Sequence, residues 1–296
     1  MVTLAHLSDV HLSPLPPVRP QDLLNKRITG YVNWRLNRAK HMHADTFSRL
    51  IAHLKAQNPD FTAVTGDLVN LALDEEFNRA AQWLRKYDTY EKVCVIPGNH
   101  DAYVPGALKK FQQYMGRYAI GETVENAQYP YVRRIGDIAV IACSSAIATP
   151  PFMAYGAFDQ PQADRLKKSL DLLGKAGFFR VVAIHHPPNR EFASEKRRGL
   201  RGAQLFRDVI ADSGAELILH GHLHRSTINA LDSKHGEVPV VGVASASADA
   251  GSGEDPARYN LFDLERVGSK WSCTLREYGY QRIGDEIVMR LQMRIY

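Results

Sequence analysis

The stretch Lys92-Val93-Cys94-Val95-Ile96-Pro97-Gly98-Asn99-His100-Asp101 joins an apolar run of strand length to a cluster of polar side chains. The same arrangement recurs on either side of it. Thr3–Ser8 runs into Asp9-Val10-His11, and Phe61–Thr65 runs into Gly66-Asp67. Phe178–Ile184 runs into His185-His186, and Glu216–His220 runs into Gly221-His222-Leu223-His224. With Ile138–Ser144, these short and nearly continuous apolar runs read as strands covered on both faces.

Amphipathic segments lie between them. Thr46, Leu50 and Leu54 repeat every fourth residue, with Phe47 and Ile51 beside them. Asp74–Tyr87 begins with acids, as a helix N-terminus prefers. Gln160–Leu173 and Ala203–Ala211 are further helices. Strands alternating with helices predict an α/β core. Beyond His224 the helical pattern fades. Ser226–Leu231, Val238–Val243, Tyr259–Leu264 and Trp271–Arg276 read as strands, and Ala246–Pro256 as a loop. With no internal repeat and no clear linker, residues 1–296 are expected to form one domain, with a β-rich part over 225–296.

The clusters make chemical sense from strand geometry. Positions i and i+2 of an extended segment point to one side, so Asp9 and His11 can reach one ion, and His222 and His224 could serve one ion or two neighbouring ions. Glycines before Asp67, Asn99 and His222 permit tight turns. Carboxylate with imidazole suits zinc, manganese or iron, and the absence of cysteine ligands argues against a structural zinc site. Two such ions, ~3.5–4 Å apart, form a clamp for in-line displacement at phosphorus. A single histidine near a strand end is usually an ordinary polar residue. Here the clusters recur in order along the chain, which reverses that judgement.

The ordered set D-x-H, G-D, G-N-H-D, H-H-P-P and G-H-x-H resembles the calcineurin-like metallophosphoesterase superfamily, and within it the bacterial class III cyclic-nucleotide and glycerophosphodiester phosphodiesterases. The resemblance spans residues 3–224. It implies a four-layer α/β/β/α sandwich of two mixed sheets and a pair of divalent or mixed-valence Mn, Fe or Zn ions. Asp9, His11, Asp67 and His224 would hold one ion. Asp67, Asn99, His185 and His222 would hold the other, with Asp67 bridging. His100 would contact the phosphate and act as general acid, oriented by Asp101. A metal-bridging hydroxide would attack a phosphodiester in line. His185 is preferred over His186 as ligand, leaving His186 to line the site. His6 and His220 are read as buried strand residues, and His41, His43, His53 and His235 as surface.

The chain carries a net charge of +5, unevenly placed. Residues 14–45 hold Arg19, Lys26, Arg27, Arg35, Arg38 and Lys40 against Asp22 and Asp45. Residues 189–201 hold Arg190, Lys196, Arg197, Arg198 and Arg201 against Glu191 and Glu195. Both segments adjoin the clusters and suggest an anionic partner. In 14–45, Arg27, Tyr31, Trp34 and Arg38 form one helical ridge and Leu24, Ile28, Val32 and Leu36 the next. Three readings stand open for this insert. It is a helical cap, an interfacial helix with Trp and Tyr at headgroup depth over residues 21–38, or a nucleic-acid surface. Some metallophosphoesterases that this chain resembles act on lipid-linked pyrophosphates such as UDP-diacylglucosamine, and the basic, aromatic insert keeps that second substrate class open. The 189–201 segment reads as a lid in which Arg190, Arg197 and Arg198, with His186, meet the substrate.

Three scattered cysteines, Cys94, Cys143 and Cys273, fit reduced core thiols. No signal peptide pattern is visible, and no run approaches a spanning helix. The expected location is the cytoplasm, with the inner face of the membrane as a second site. The remaining alternative is a non-catalytic metal-binding scaffold.

Overall fold

The computed structural model describes residues 1–38, 44–249, 255–268, 270–281 and 286–296. Lys40, His41 and His43 of the basic insert lie outside the described residues, as do the side chain of Arg38 and residues 250–254 of the Gly/Ser/Ala loop. In chain order the elements are β1 (Val2–Leu7), α1 (Arg27–Asn33), α2 (Ala44–Ala56), β2 (Phe61–Val64), α3 (Asp74–Tyr87), β3 (Val93–Val95) and α4 (Ala107–Met115). There follow β4 (Tyr131–Ile135), β5 (Ile138–Ala142), β6 (Gly156–Ala157), α5 (Gln160–Lys175), β7 (Phe179–Ala183), α6 (Arg190–Ala193), β8 (Leu200–Arg201), α7 (Ala203–Ser213) and β9 (Leu217–His220). The chain closes with β10 (Thr227–Ser233), β11 (Gly236–Gly242), β12 (Arg258–Val267), β13 (Lys270–Tyr280) and β14 (Ile287–Arg294).

One sheet has the order β14-β13-β12-β1-β2-β3, and the other β10-β11-β9-β7-β5-β4. Both are mixed. β1, β2 and β3 run parallel, as do β5, β7, β9 and β11, while β12–β14, β4 and β10 pair antiparallel. Alternation along β1 sorts its side chains. Leu4 faces the other sheet with Phe61, Ala63, Val140, Val181, Leu217 and Phe262, whereas Ala5 and Leu7 face α2–α4 through Leu50, Leu54, Phe77 and Phe111. On the far side, Ile141, Val182 and Ile218 pack under α5 and α7 through Leu166, Leu170, Phe206 and Ile210. The result is the α/β/β/α sandwich expected from the sequence.

Local signals set the helix ends. Asp159 accepts the Gln162 amide at 3.0 Å to start α5, and Gly214 (φ 67°) ends α7. α3 opens with Asp74, Glu75 and Glu76, and Glu76 turns its buried carboxylate back to the amides of Asn70, Leu71 and Leu73. Cys94, Cys143 and Cys273 are buried free thiols. Among the described residues no helix is long and apolar enough to cross a membrane.

The strands after His224 divide between the sheets. β10 and β11 extend one and β12–β14 extend the other, so they do not form a lobe of their own. β4 and β14 were not expected from the sequence, because their mixed, half-exposed character lacks a clean period. Nor was α4, although Ala107, Phe111 and Met115 repeat every fourth residue on its buried face. The 14–45 insert is also less regular than one helix. A short 3-10 turn, Pro20–Leu23, precedes α1, and a π-helical turn, Trp34–Arg38, follows it.

Candidate metal centre

The parallel strands of both sheets deliver their C-terminal ends to one place, the crevice where α/β folds bind ligands. The loops after β1, β2 and β3 bring Asp9, His11, Asp67 and Asn99 from one sheet. Those after β7 and β9 bring His185, His222 and His224 from the other. The β1 and β2 exits run side by side, with the amides of Asp9 and His11 donating to the carbonyls of Gly66 and Asp67 at 3.0 and 2.9 Å.

Asp9, His11, Asp67, His222 and His224 all have positive φ, from 39° to 71°. Left-handed backbone is uncommon for such residues, and its concentration here marks strain held by the surrounding structure. It also corrects the strand-alternation argument. Asp9 and His11 lie beyond the end of β1 and meet because the chain reverses at both. Two glycines make room. A Cβ on Gly98 would collide with the Asp67 carboxylate, and one on Gly221 with the Ser8 hydroxyl.

Donor atoms gather in two overlapping groups. His224 Nε2 lies 3.1 Å from Asp9 Oδ1 and 3.4 Å from His11 Nε2, and His11 Nε2 lies 3.8 Å from Asp67 Oδ2. In the second group, His185 Nε2 lies 3.5 Å from the same Asp67 Oδ2 and 3.2 Å from Asn99 Oδ1. His222 Nδ1 is 2.8 Å from Asn99 Oδ1. Asp67 is shared. Three of the four rings have their other nitrogen fixed by a backbone carbonyl: His11 by Val69 at 3.0 Å, His185 by Thr65 at 2.6 Å and His222 by Arg198 at 2.9 Å. Carbonyls there select the tautomer that aims a lone pair at the centre.

The donors fit metal ions. Asp9 Oδ1 is fully buried and faces His224 Nε2 at 3.1 Å. Burial alone would raise the Asp9 pKa, yet the field and hydrogen bond of His224 and the field of His185 hold it below the carboxylate range. Burial opposes charge on His185, but the Asp67 carboxylate and Asp9 push its pKa up to about 9. Two buried carboxylates thus call for positive charge at this spot, which a cation supplies.

His100 stands beside these groups. Its Nδ1 lies 2.6 Å from the Asn70 carbonyl, and its ring packs edge-on to His11 and flat on Tyr103. Asp101 does not do the orienting expected of it. Its carboxylate accepts the amides of Asp67 (2.7 Å), Leu68 (3.0 Å), Val69 (3.3 Å) and Gly98 (2.9 Å). The side chain points back into the β2 exit, so the group that orients His100 is the Asn70 carbonyl. A contact through a backbone carbonyl leaves no mark in the sequence.

Two further expectations change. His186 is buried, with Nδ1 2.7 Å from Ser145 Oγ and Nε2 3.0 Å from the Ala154 carbonyl. Although it is near His185 and His222, its nitrogens are committed, and burial lowers its pKa to about 3. It braces the segment carrying Phe152 and is not among the residues that line the cleft. Arg190 lines a separate depression with Asn189, Gln204 and Arg207. Arg197 and Arg198 do line the cleft above the centre, which has a volume of about 440 Å³. His6 and His220 are buried in strands as expected, and His235 is exposed. His53 is half-buried against Tyr259, with Nδ1 2.6 Å from the phenol oxygen.

The insert roofs that cleft. Lys26 sends Nζ to Thr149 Oγ1 (2.6 Å) and the Met153 carbonyl (2.9 Å), above the Tyr103 ring. Arg27 donates to the carbonyls of Leu71 and Ala72 at 2.8 and 2.7 Å. Gly30 packs where a Cβ would strike Tyr103 and Leu71, which explains a glycine inside this helix. Trp34 lines the cleft with Phe152, Asn99 and His100.

A family model described as calcineurin-like phosphoesterase matches residues 2–226. No curated protein sequence matches the chain. Among solved structures, a dimetal phosphatase from Danio rerio superposes with a TM-score of 0.61 at 11% identity, covering 97% of this chain and 98% of that one. The sulfate thiohydrolase SoxB of Thermus thermophilus gives 0.50 at 14% identity, over 92% of this chain and 56% of that one. An NAD nucleotidase from Haemophilus influenzae gives 0.49 at 9% identity, over 99% of this chain and 49% of that one. These likenesses concern the fold.

Proposed function

The chain belongs to the calcineurin-like phosphoesterase family and is a metal-dependent phosphoester hydrolase, and we propose that it is a dimetal phosphodiesterase. The observation that supports this most is the pair of donor groups sharing Asp67 Oδ2, with His100 beside them. Asp9, His11, Asp67 and His224 would hold one ion, and Asp67, Asn99, His185 and His222 the other. When bound, the two ions supply activation of water near neutral pH and charge neutralisation at the phosphoryl oxygens. Manganese, iron and zinc all suit this oxygen and nitrogen set.

The protein's own groups do the rest. His100 Nδ1–H is directed to the Asn70 carbonyl, so a proton carried at Nε2 requires the imidazolium. In that form Nε2–H donates to the leaving alkoxide, which a diester needs because alcohols leave poorly without protonation. Arg197 and Arg198 offer forked donors to the substrate's charge, and the insert limits water above it. A scaffold would need none of this, and the two donor groups that share Asp67 support the enzyme reading. Hydrolysis of bis(p-nitrophenyl) phosphate, assayed with added Mn, Fe or Zn, tests the reading. Turnover with two ions per chain is the expected result, and inactivity with every metal would overturn it.

A further inference from the structure

The insert is amphipathic the wrong way round for a helix packed on a water-soluble core. Two of its cations point inward: Lys26 and Arg27 bond the carbonyls of Met153, Leu71 and Ala72. Its apolar ridge points outward, with Leu24 85%, Ile28 51%, Val32 49% and Leu36 68% exposed. Phe152, at the mouth of the cleft, is 80% exposed. Scattered exposed apolar residues are ordinary, but a ridge at helical spacing beside a site marks an interaction surface.

We propose that Leu24, Ile28, Val32 and Leu36, with Phe152, seat the protein on an anionic lipid bilayer, so that the centre cleaves a phosphoester whose apolar part stays in the membrane. The substrate class rests on the hydrolase reading; the docking does not. Charge selects the partner. Arg35 stands exposed on the insert and Lys196, Arg197 and Arg198 across the cleft, within two segments that are each net positive. Lys and Arg beside an apolar face are the pattern of helices that lie in an anionic interface. A second copy would bring the same positive charge to the same face, which disfavours self-association. Single-stranded nucleic acid stacks successive bases on several exposed rings; of the aromatic residues here Phe152 is exposed, while Tyr31 packs on the core and Trp34 lines the cleft. This relocates the membrane contact expected from the sequence, from the Tyr31–Trp34 ridge to the leucine ridge.

Co-sedimentation with phosphatidylglycerol/phosphatidylcholine vesicles tests it. Wild-type protein should pellet with these, release as salt rises, and stay in solution with phosphatidylcholine alone. Leu24→Gln with Ile28→Gln should cut partitioning at least tenfold, with melting temperature and metal content unchanged. Equal pelleting of wild type and variant, or none of either, would overturn the proposal. So would a concentration-dependent dimer that the variant abolishes. Wild-type turnover of the soluble diester without vesicle binding would sink the docking alone. Vesicle binding without any turnover would sink the hydrolase reading alone.

Discussion

His222 Nε2 lies 2.9 Å from the carbonyl oxygen of Arg198, while Nδ1 of the same ring faces Asn99 Oδ1 at 2.8 Å. One imidazole therefore ties the 195–198 loop to the centre. Gly199, next in the chain, sits where a Cβ would strike the Ala193 carbonyl. Gly199→Val should push the loop out and cost the second ion about 10–100-fold in affinity, as loss of an orienting partner does. Metal titration followed by elemental analysis checks this, and the first ion should be held as before.

Asp67→Asn should reduce loading at both positions, because Asp67 Oδ2 belongs to both donor groups. An amide is a poor bridging ligand, and elemental analysis should find fewer than two ions per chain. Asn99→Ala touches only the second group and should leave one ion bound.

His100→Ala should leave metal content near normal while slowing diester turnover by ~10²–10⁴-fold, the usual contribution of a general acid. The slowing should shrink for substrates with good leaving groups. Loss of metal in this variant would refute the role given to His100.

Asp101→Asn separates two roles. The carboxylate accepts four backbone amides around the β2 exit, and an Asn amide would set an NH₂ group against some of them. The expected cost is about 1–3 kcal/mol of stability, from buried donors left unsatisfied. Thermal denaturation measures it; an unchanged melting temperature with slower turnover would restore an orienting role.

Lys26 gives a pH signature. Burial lowers its pKa from 10.5 to about 8. Below about 8 it is charged in both folded and unfolded chains; between 8 and 10.5 the unfolded chain holds more protons. Its contribution to stability therefore rises with pH over that window. Anion binding runs the other way. KM for an anionic diester should rise as pH passes about 8, and Lys26→Met should have the higher KM already at pH 7. Glu195, Arg197, Arg198 and His100 line the same cleft, so the comparison with the variant isolates the lysine.

The sequence carries the sandwich and the donors well, because strands buried on both faces and ligands at their ends are written in residue types. Lys92–Ile96 and its Gly-Asn-His-Asp tail are legible for that reason. The sequence is silent where the backbone does the work. The Asn70 carbonyl behind His100 and the Arg198 carbonyl behind His222 belong to no side chain. The left-handed turns at Asp9 and His11 replace a strand alternation that would have given the same pairing. The insert is only half legible for a different reason. Helical spacing finds both of its ridges, but spacing alone cannot tell that Arg27 is spent on the Leu71 and Ala72 carbonyls while Leu24, Ile28, Val32 and Leu36 face out.

The centre draws on both sheets. Asp9, His11, Asp67 and Asn99 hang from one, and His185, His222 and His224 from the other. Ions held there would act as rivets across the seam, resisting sliding of one half of the molecule over the other. Chelation should then loosen the seam before it loosens either sheet. At a hundredfold excess over Kd each ion would contribute about 2.7 kcal/mol of cohesion. Amide exchange in the metal-stripped protein should quicken first along the ends of β1, β2, β7 and β9, where the rivets sit.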